Sequence, residues 1–153
     1  MANTYTQLYV HIVFSPKGRQ NLITEKIKDE IYKYIAGIIK RKNQKLIIIN
    51  GMPDHIHIFI CFLPEISISG LVRDIKANST NYINERKLVL GKFEWQKGFG
   101  AFTYSKSQMK GVIRYIEQQE KHHKKKTFKE EYLELLKKFE IEFKEEYLFD
   151  WYE

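Results

Sequence analysis

Cysteine and long apolar runs are scarce in this chain, and several common signatures are missing altogether. The single cysteine, Cys61, cannot close an internal disulfide, and its place within an apolar stretch suits a small packed hydrophobe. No apolar run approaches the ~20 residues of a membrane span. The opening residues, Met1-Ala2-Asn3-Thr4-Tyr5, show no basic region leading into an apolar one, so no secretory signal is expected. The protein is accordingly read as cytoplasmic, with no membrane partner. Internal repeats, low-complexity tracts and a glycine-rich phosphate loop are also absent.

What is present reads as a folded domain. Hydrophobic residues make up 43% of the 153 and charged residues 29%, a balance that predicts one globular core, so residues 1–153 are taken as a single domain. The net charge of +7 is unevenly spread. Residues 1–104 carry 15 basic and 8 acidic groups, residues 105–126 carry 7 and 2, and residues 127–153 carry 4 and 9. A basic body with an acidic tail points to a polyanionic partner, nucleic acid first.

The chain is organised around Asp54-His55-Ile56-His57-Ile58-Phe59-Ile60-Cys61-Phe62, which follows the turn signal Asn50-Gly51-Met52-Pro53. β-Branched and aromatic side chains favour a strand here. Alternation then puts His55, His57, Phe59 and Cys61 on one face and Ile56, Ile58, Ile60 and Phe62 on the other. The two imidazoles stand roughly 6–7 Å apart at their Cα atoms by strand rise, close enough for both to reach one cation. Two buried histidines that only packed would each need a hydrogen-bonding partner. Spacing alone leaves metal binding and packing equally open.

The remaining elements follow from pattern and punctuation. Residues 5–14 predict a strand ended by Ser15-Pro16-Lys17-Gly18, with His11 as a third candidate ligand. Residues 24–41 predict a helix capped by Thr24, with Ile27, Ile31, Tyr34, Ile35 and Ile38 inward. Lys45–Ile49 forms a strand paired with the histidine strand. Ser67 or Ser69 caps a second helix reaching about Asn84, whose Lys76 offers a phosphate contact or a solvated face. Residues 85–100 mix glycines with Phe93, Trp95 and Phe99, which either stack unpaired bases or anchor a loop. Ala101–Tyr104 makes a fourth strand. Ser105 and Gln108 form a capping-box pattern before a helix over about 106–123, whose stripe is Met109, Val112, Ile113 and Ile116. Tyr115 and Gln119 lie off that stripe one turn apart, with His122 on the same side. Thr127 and Glu130 repeat the capping box before a last helix, with a tail to residue 153. The order of elements is the split βαβ, ferredoxin-like arrangement of an α+β fold: an antiparallel sheet with helices on one face, C-terminal helices, and the other face open to substrate or a second subunit.

The histidine strand, the stretch Trp95-Gln96-Lys97-Gly98-Phe99-Gly100-Ala101-Phe102, the Tyr115-x-x-x-Gln119 helix and the ending Glu146-Tyr147-Leu148-Phe149-Asp150 together resemble one family. It is the single-tyrosine transposases of small insertion sequences, members of the HUH endonuclease superfamily. The resemblance implies that His55 and His57 are metal ligands, Gln119 a third ligand and Tyr115 the nucleophile. It implies Mg²⁺ or Mn²⁺ as cofactor and single-stranded DNA, in imperfect hairpins at element ends, as partner. It also implies a homodimer with joined sheets, in which one subunit's tyrosine serves the other's histidines. Asp54 is a candidate outer partner of the site or a turn cap, and His122, Lys76 and Trp95 are candidate outer or DNA-contacting residues. Three rival readings stay open: a nickase of replication or of repetitive genomic hairpins, a non-catalytic module binding RNA or single-stranded DNA, and a metal-dependent hydrolase that leaves no covalent adduct.

Overall fold

The computed structural model describes residues 3–152, so Met1, Ala2 and Glu153, at the ends of the expected domain, lie outside it. Four strands, β1 (Tyr9–Phe14), β2 (Lys45–Met52), β3 (His55–Cys61) and β4 (Gly100–Tyr104), pair antiparallel in the order β2-β3-β1-β4. Helix α1 (Glu25–Arg41) joins β1 to β2, and α2 (Ile68–Glu85) joins β3 to β4. This is the expected α+β, split βαβ order.

Alternation sets the main core. Val10, Ile12 and Phe14 of β1 stand opposite Ile60, Ile58 and Ile56 of β3, and all six are buried. Ile31, Ile35, Ile38 and Ile39 of α1 and Leu71, Val72 and Ile75 of α2 pack in the same cluster. Each such side chain contributes about 1.5–3 kcal/mol through removal from water. Ser67 starts α2 by accepting the Gly70 N–H at 2.9 Å, as its sequence position predicts.

The opposite face, expected to be open, is covered. Three more helices lie in the second half of the chain: α3 (Met109–Glu117), α4 (Gln119–His122) and α5 (Phe128–Lys138). Phe59, on the histidine face of β3, joins Val112 and Ile116 of α3 in a second buried cluster. Phe128, Tyr132, Leu135 and Leu136 of α5 are buried as well. The tail docks on its own chain: Phe149 packs near Phe128 and Tyr132, and the Gln96 amide donates to Asp150 O and accepts from Asp150 N.

Three boundaries differ from expectation. β1 begins at Tyr9 rather than at residue 5, and Tyr5 is almost fully exposed. β2 runs through Met52, which pairs with His55, so the turn is Pro53-Asp54 rather than Asn50–Pro53. Gly51 serves close approach instead of a turn, since a Cβ there would lie 2.2 Å from His55 O. The long helix over 106–123 is interrupted. A 3₁₀ turn at Lys106–Gln108, capped by the predicted Ser105/Gln108 box, precedes α3, and the helix is broken at Gln118. Asn50 of β2 donates to the carbonyls of Ile116 (2.8 Å) and Glu117 (3.3 Å), which satisfies groups that a continued helix would have bonded.

Candidate active site

The β3 pleat delivers His55 and His57 to the covered face, both fully buried. Each ring is held from behind. Asp54 Oδ1 lies 2.7 Å from His55 Nδ1, and His11 Nε2 lies 2.7 Å from His57 Nδ1. The Nε2 atoms of both rings are thereby turned toward one region. Asp54 therefore touches the His55 ring, the kind of contact that fixes tautomer and ring orientation where a histidine binds metal. His11, the third candidate ligand, stands behind His57 rather than beside it, and its own Nδ1 has no hydrogen-bond partner.

The break at Gln118 sets the next two groups. It leaves Gln118 exposed and turns Gln119 fully inward, with Oε1 at 2.9 Å from His55 Nε2. Tyr115, at the end of α3, sets its ring edge-on to His57 with centroids 5.8 Å apart. Tyr115, Gln119, His55 and His57 therefore converge within one chain. His122 is brought to the tyrosine instead of the donor atoms: its ring lies 4.9 Å from that of Tyr115, and its Nε2 has no partner.

Two residues at the centre escaped the sequence reading. Glu131 of α5, only 5% exposed, places Oε1 at 3.2 Å from both His55 Nε2 and His57 Nε2 and at 3.0 Å from His123 Nε2. Its Oε2 accepts from Gln119 Nε2 at 3.0 Å and from the Tyr115 hydroxyl. His123 also reaches Gln119 Oε1 at 3.1 Å. The available signal for Glu131 was its spacing: it lies three residues after Phe128 and four before Leu135, on the apolar side of its helix. His123 was hidden inside a run of lysines that reads as a basic helix end. Phe128 closes the site from one side, its ring stacked on His55 at 4.1 Å.

Electrostatics follow from this crowding. Burial works against the charge on Glu131, yet His57 and the hydrogen bonds from His123, His55 and His57 hold its carboxyl far below the usual range. Burial also opposes charge on His55, but Asp54 and Glu131 overcome it and raise its pKa to about 9. For His57 burial wins and the pKa falls. The Tyr115 phenol is pushed well above its ordinary value, by burial first and then by the Glu131 charge. His55, His57 and Glu131 form a buried group whose ligand atoms lie within 4.8 Å of one another, and it could hold a metal ion.

Trp95 and Lys76 direct their polar atoms at the protein itself. The buried Trp95 donates its indole N–H to Ser79 Oγ at 2.9 Å and packs edge-on against Phe14 and Phe93. Lys76 donates to the carbonyls of Gln96 and Gly98 at 2.8 and 2.6 Å, and burial lowers its pKa to about 8. Both fasten the loop that leads into β4.

The family model described as Transposase IS200 like matches residues 4–119. This chain belongs to the IS200-like transposase family. Among its relatives, the ISDra2 transposase TnpA of Deinococcus radiodurans is 23% identical over 118 residues, 74% of this chain and 84% of that protein. A crystal structure from Deinococcus radiodurans R1, of a protein described as a transposase, matches with a TM-score of 0.60 at 20% identity, over 76% of this chain and 94% of that one. The structure of a REP-associated tyrosine transposase bound to a REP hairpin gives a TM-score of 0.60 at 14% identity, over 79% and 72% of the two chains. These structural likenesses concern the fold. The IS200-like match ends at Gln119, so His123, α5 and Glu131 lie beyond it.

Proposed function

We propose that this IS200-like transposase cleaves and rejoins single-stranded DNA through a covalent bond between Tyr115 and a 5′-phosphate. The observation that carries the reading is the convergence of a tyrosine hydroxyl, two imidazole nitrogens and an amide oxygen from separate elements. His55, His57 and Gln119 fit a divalent cation, because their donor atoms are buried, turned inward and supported from behind. An amide oxygen in place of a third imidazole favours a hard ion, Mg²⁺ or Mn²⁺. When bound, the cation would polarise a phosphate oxygen and offset the negative charge that Glu131 turns on Tyr115.

Glu131 Oε2 orients the Tyr115 hydroxyl, and Tyr115 Oη attacks phosphorus as its proton passes to water. The Oη–P bond forms, the P–O3′ bond breaks, and the departing 3′-oxygen takes a proton from water. The link conserves the energy of the phosphodiester, so a later 3′-hydroxyl can displace the tyrosine and reseal a strand without ATP. Lys124, Lys125 and Lys126 line a cleft with Asp54, His123 and Phe128, at the edge of the site, which suits a DNA backbone. Single-stranded DNA in hairpin form is the proposed substrate, in line with the hairpin held by the REP-associated relative. Tyr115 lies beside histidines of its own chain, which supports cleavage within one subunit as the proposed arrangement. The homodimer implied by the resemblance would serve to bring two DNA ends together.

The test uses hairpin-bearing single-stranded oligonucleotides labelled at the 3′ end, with Mg²⁺ or Mn²⁺. The expected result is a denaturant-stable adduct that carries the label, plus a released fragment ending in a 3′-hydroxyl. Binding without an adduct in either metal would leave only a nucleic-acid-binding module. Cleavage without an adduct would indicate a hydrolase.

A further inference from the structure

We propose that Glu131 is itself a ligand of the divalent cation, so that the ion fastens α5 to β3; this rests on the metal-dependent reading above and adds a ligand from outside the segment matched to the family. The local sequence fixes the geometry. Thr127 caps α5 by accepting the Glu130 N–H, and Glu130 Oε1 accepts the Thr127 N–H in return, which sets the helix register. Glu134 pairs with Lys126 at 2.6 Å in the solvent. Of the three acids on α5, only Glu131 turns into the protein, 5% exposed.

The spacing of donor atoms suits coordination. Adjacent ligands of a small divalent ion in octahedral array lie about 3.0 Å apart, given metal–oxygen bonds of about 2.1 Å. Glu131 Oε1 stands 3.2 Å from His55 Nε2 and 3.2 Å from His57 Nε2, and Gln119 Oε1 stands 2.9 Å from His55 Nε2. Two imidazoles, one amide oxygen and one carboxylate still leave open positions for substrate oxygens in an octahedral array. A buried carboxylate also requires compensating positive charge, which a cation supplies better than imidazoles that must stay neutral to bind it. The second oxygen, Oε2, keeps Gln119 and Tyr115. Glu131 would thus join ion and nucleophile through one carboxylate, a positioning residue for Tyr115 as well as a ligand.

Mn²⁺ titrated calorimetrically into the full chain tests this against Glu131→Gln and His57→Ala. Glu131→Gln is expected to weaken Mn²⁺ binding by about 100-fold, the upper end of what loss of even an outer partner does. Unchanged or tighter binding in Glu131→Gln, with binding lost in His57→Ala, overturns the proposal and leaves the histidine centre standing. Absence of Mn²⁺ binding by the unmodified chain overturns the metal-dependent reading itself. A second measurement needs no variant. Protein labelled with ¹³C at glutamate carboxyls should show strong electron–nuclear coupling between bound Mn²⁺ and a carboxylate carbon, and its absence refutes direct ligation.

Discussion

Replacing Tyr115 by phenylalanine separates chemistry from packing at this site. The ring keeps its contacts with His57, His11 and His122, and only the hydroxyl is lost. That hydroxyl donates to Glu131 Oε2, a buried charged acceptor. Loss of a hydrogen bond to a charged group costs about 1.5–3 kcal/mol. Gln119 and three histidines remain around the carboxylate, so the lower half of that range applies. In a chain of this size the change lowers Tm by about 3–9 °C, at about 2–4 °C per kcal/mol. Cleavage responds differently, because no other oxygen stands in that place, and the adduct should fall below detection. Denaturing gels of 3′-labelled hairpin DNA read the chemistry, and calorimetry of the metal-free protein reads the stability. Tyr104→Phe is the control: its ring lies 6.2 Å from His11, burial raises its pKa to about 12, and its loss should leave the adduct intact. An adduct that survives in Tyr115→Phe, or disappears in Tyr104→Phe, would refute the assignment of the nucleophile.

His57→Ala should abolish cleavage while hairpin binding by gel shift stays close to that of the unmodified chain; joint loss of both would indicate a folding role for β3. In chelator, the metal-free protein should lose about 3 kcal/mol of stability as pH rises from 6.5 to about 9, because a pKa raised on folding stabilises fully below its unfolded value and ceases to do so above its folded one. Denaturant midpoints across that window check the sign, and His55→Ala should remove this falling contribution while the opposing rise from Lys76, whose pKa burial lowers to about 8, remains. Hairpin affinity should fall as salt rises, given the net charge of +7 and the lysine-lined cleft; a flat salt profile would argue against backbone contacts. Gly51→Ala should destabilise by about 1–3 kcal/mol or more in denaturant titrations, since the added Cβ meets the backbone of His55 and Ile56, which has nowhere to move.

Much of the fold was legible because its elements follow periodicity. The alternation of isoleucines in β3, the α1 stripe and both capping boxes all appear where the pattern puts them. What escaped depends on contacts distant in the chain. Asn50 and Gly51 look like a turn, but Asn50 bonds the end of a helix 66 residues away and Gly51 makes room for β3. No local pattern shows that a helix will stop where a distant amide takes its carbonyls. In the candidate site, His55, His57, Tyr115 and Gln119 were marked by spacing together with resemblance, and they do meet. Glu131 was not marked, because a glutamate beside a capping box resembles a solvated one until its neighbours are known. The covering of the second sheet face is hidden for the same reason: the stripes of α3 and α5 show that they bury a side, but not against what.

Asn50 lies directly across from His57 in the β2–β3 register and also grips the end of α3 just beyond Tyr115. One small amide therefore indexes both halves of the candidate site to the same rung of the sheet. Should the β2–β3 hairpin flex, the phenol and the imidazoles would travel together, and their alignment would survive the motion.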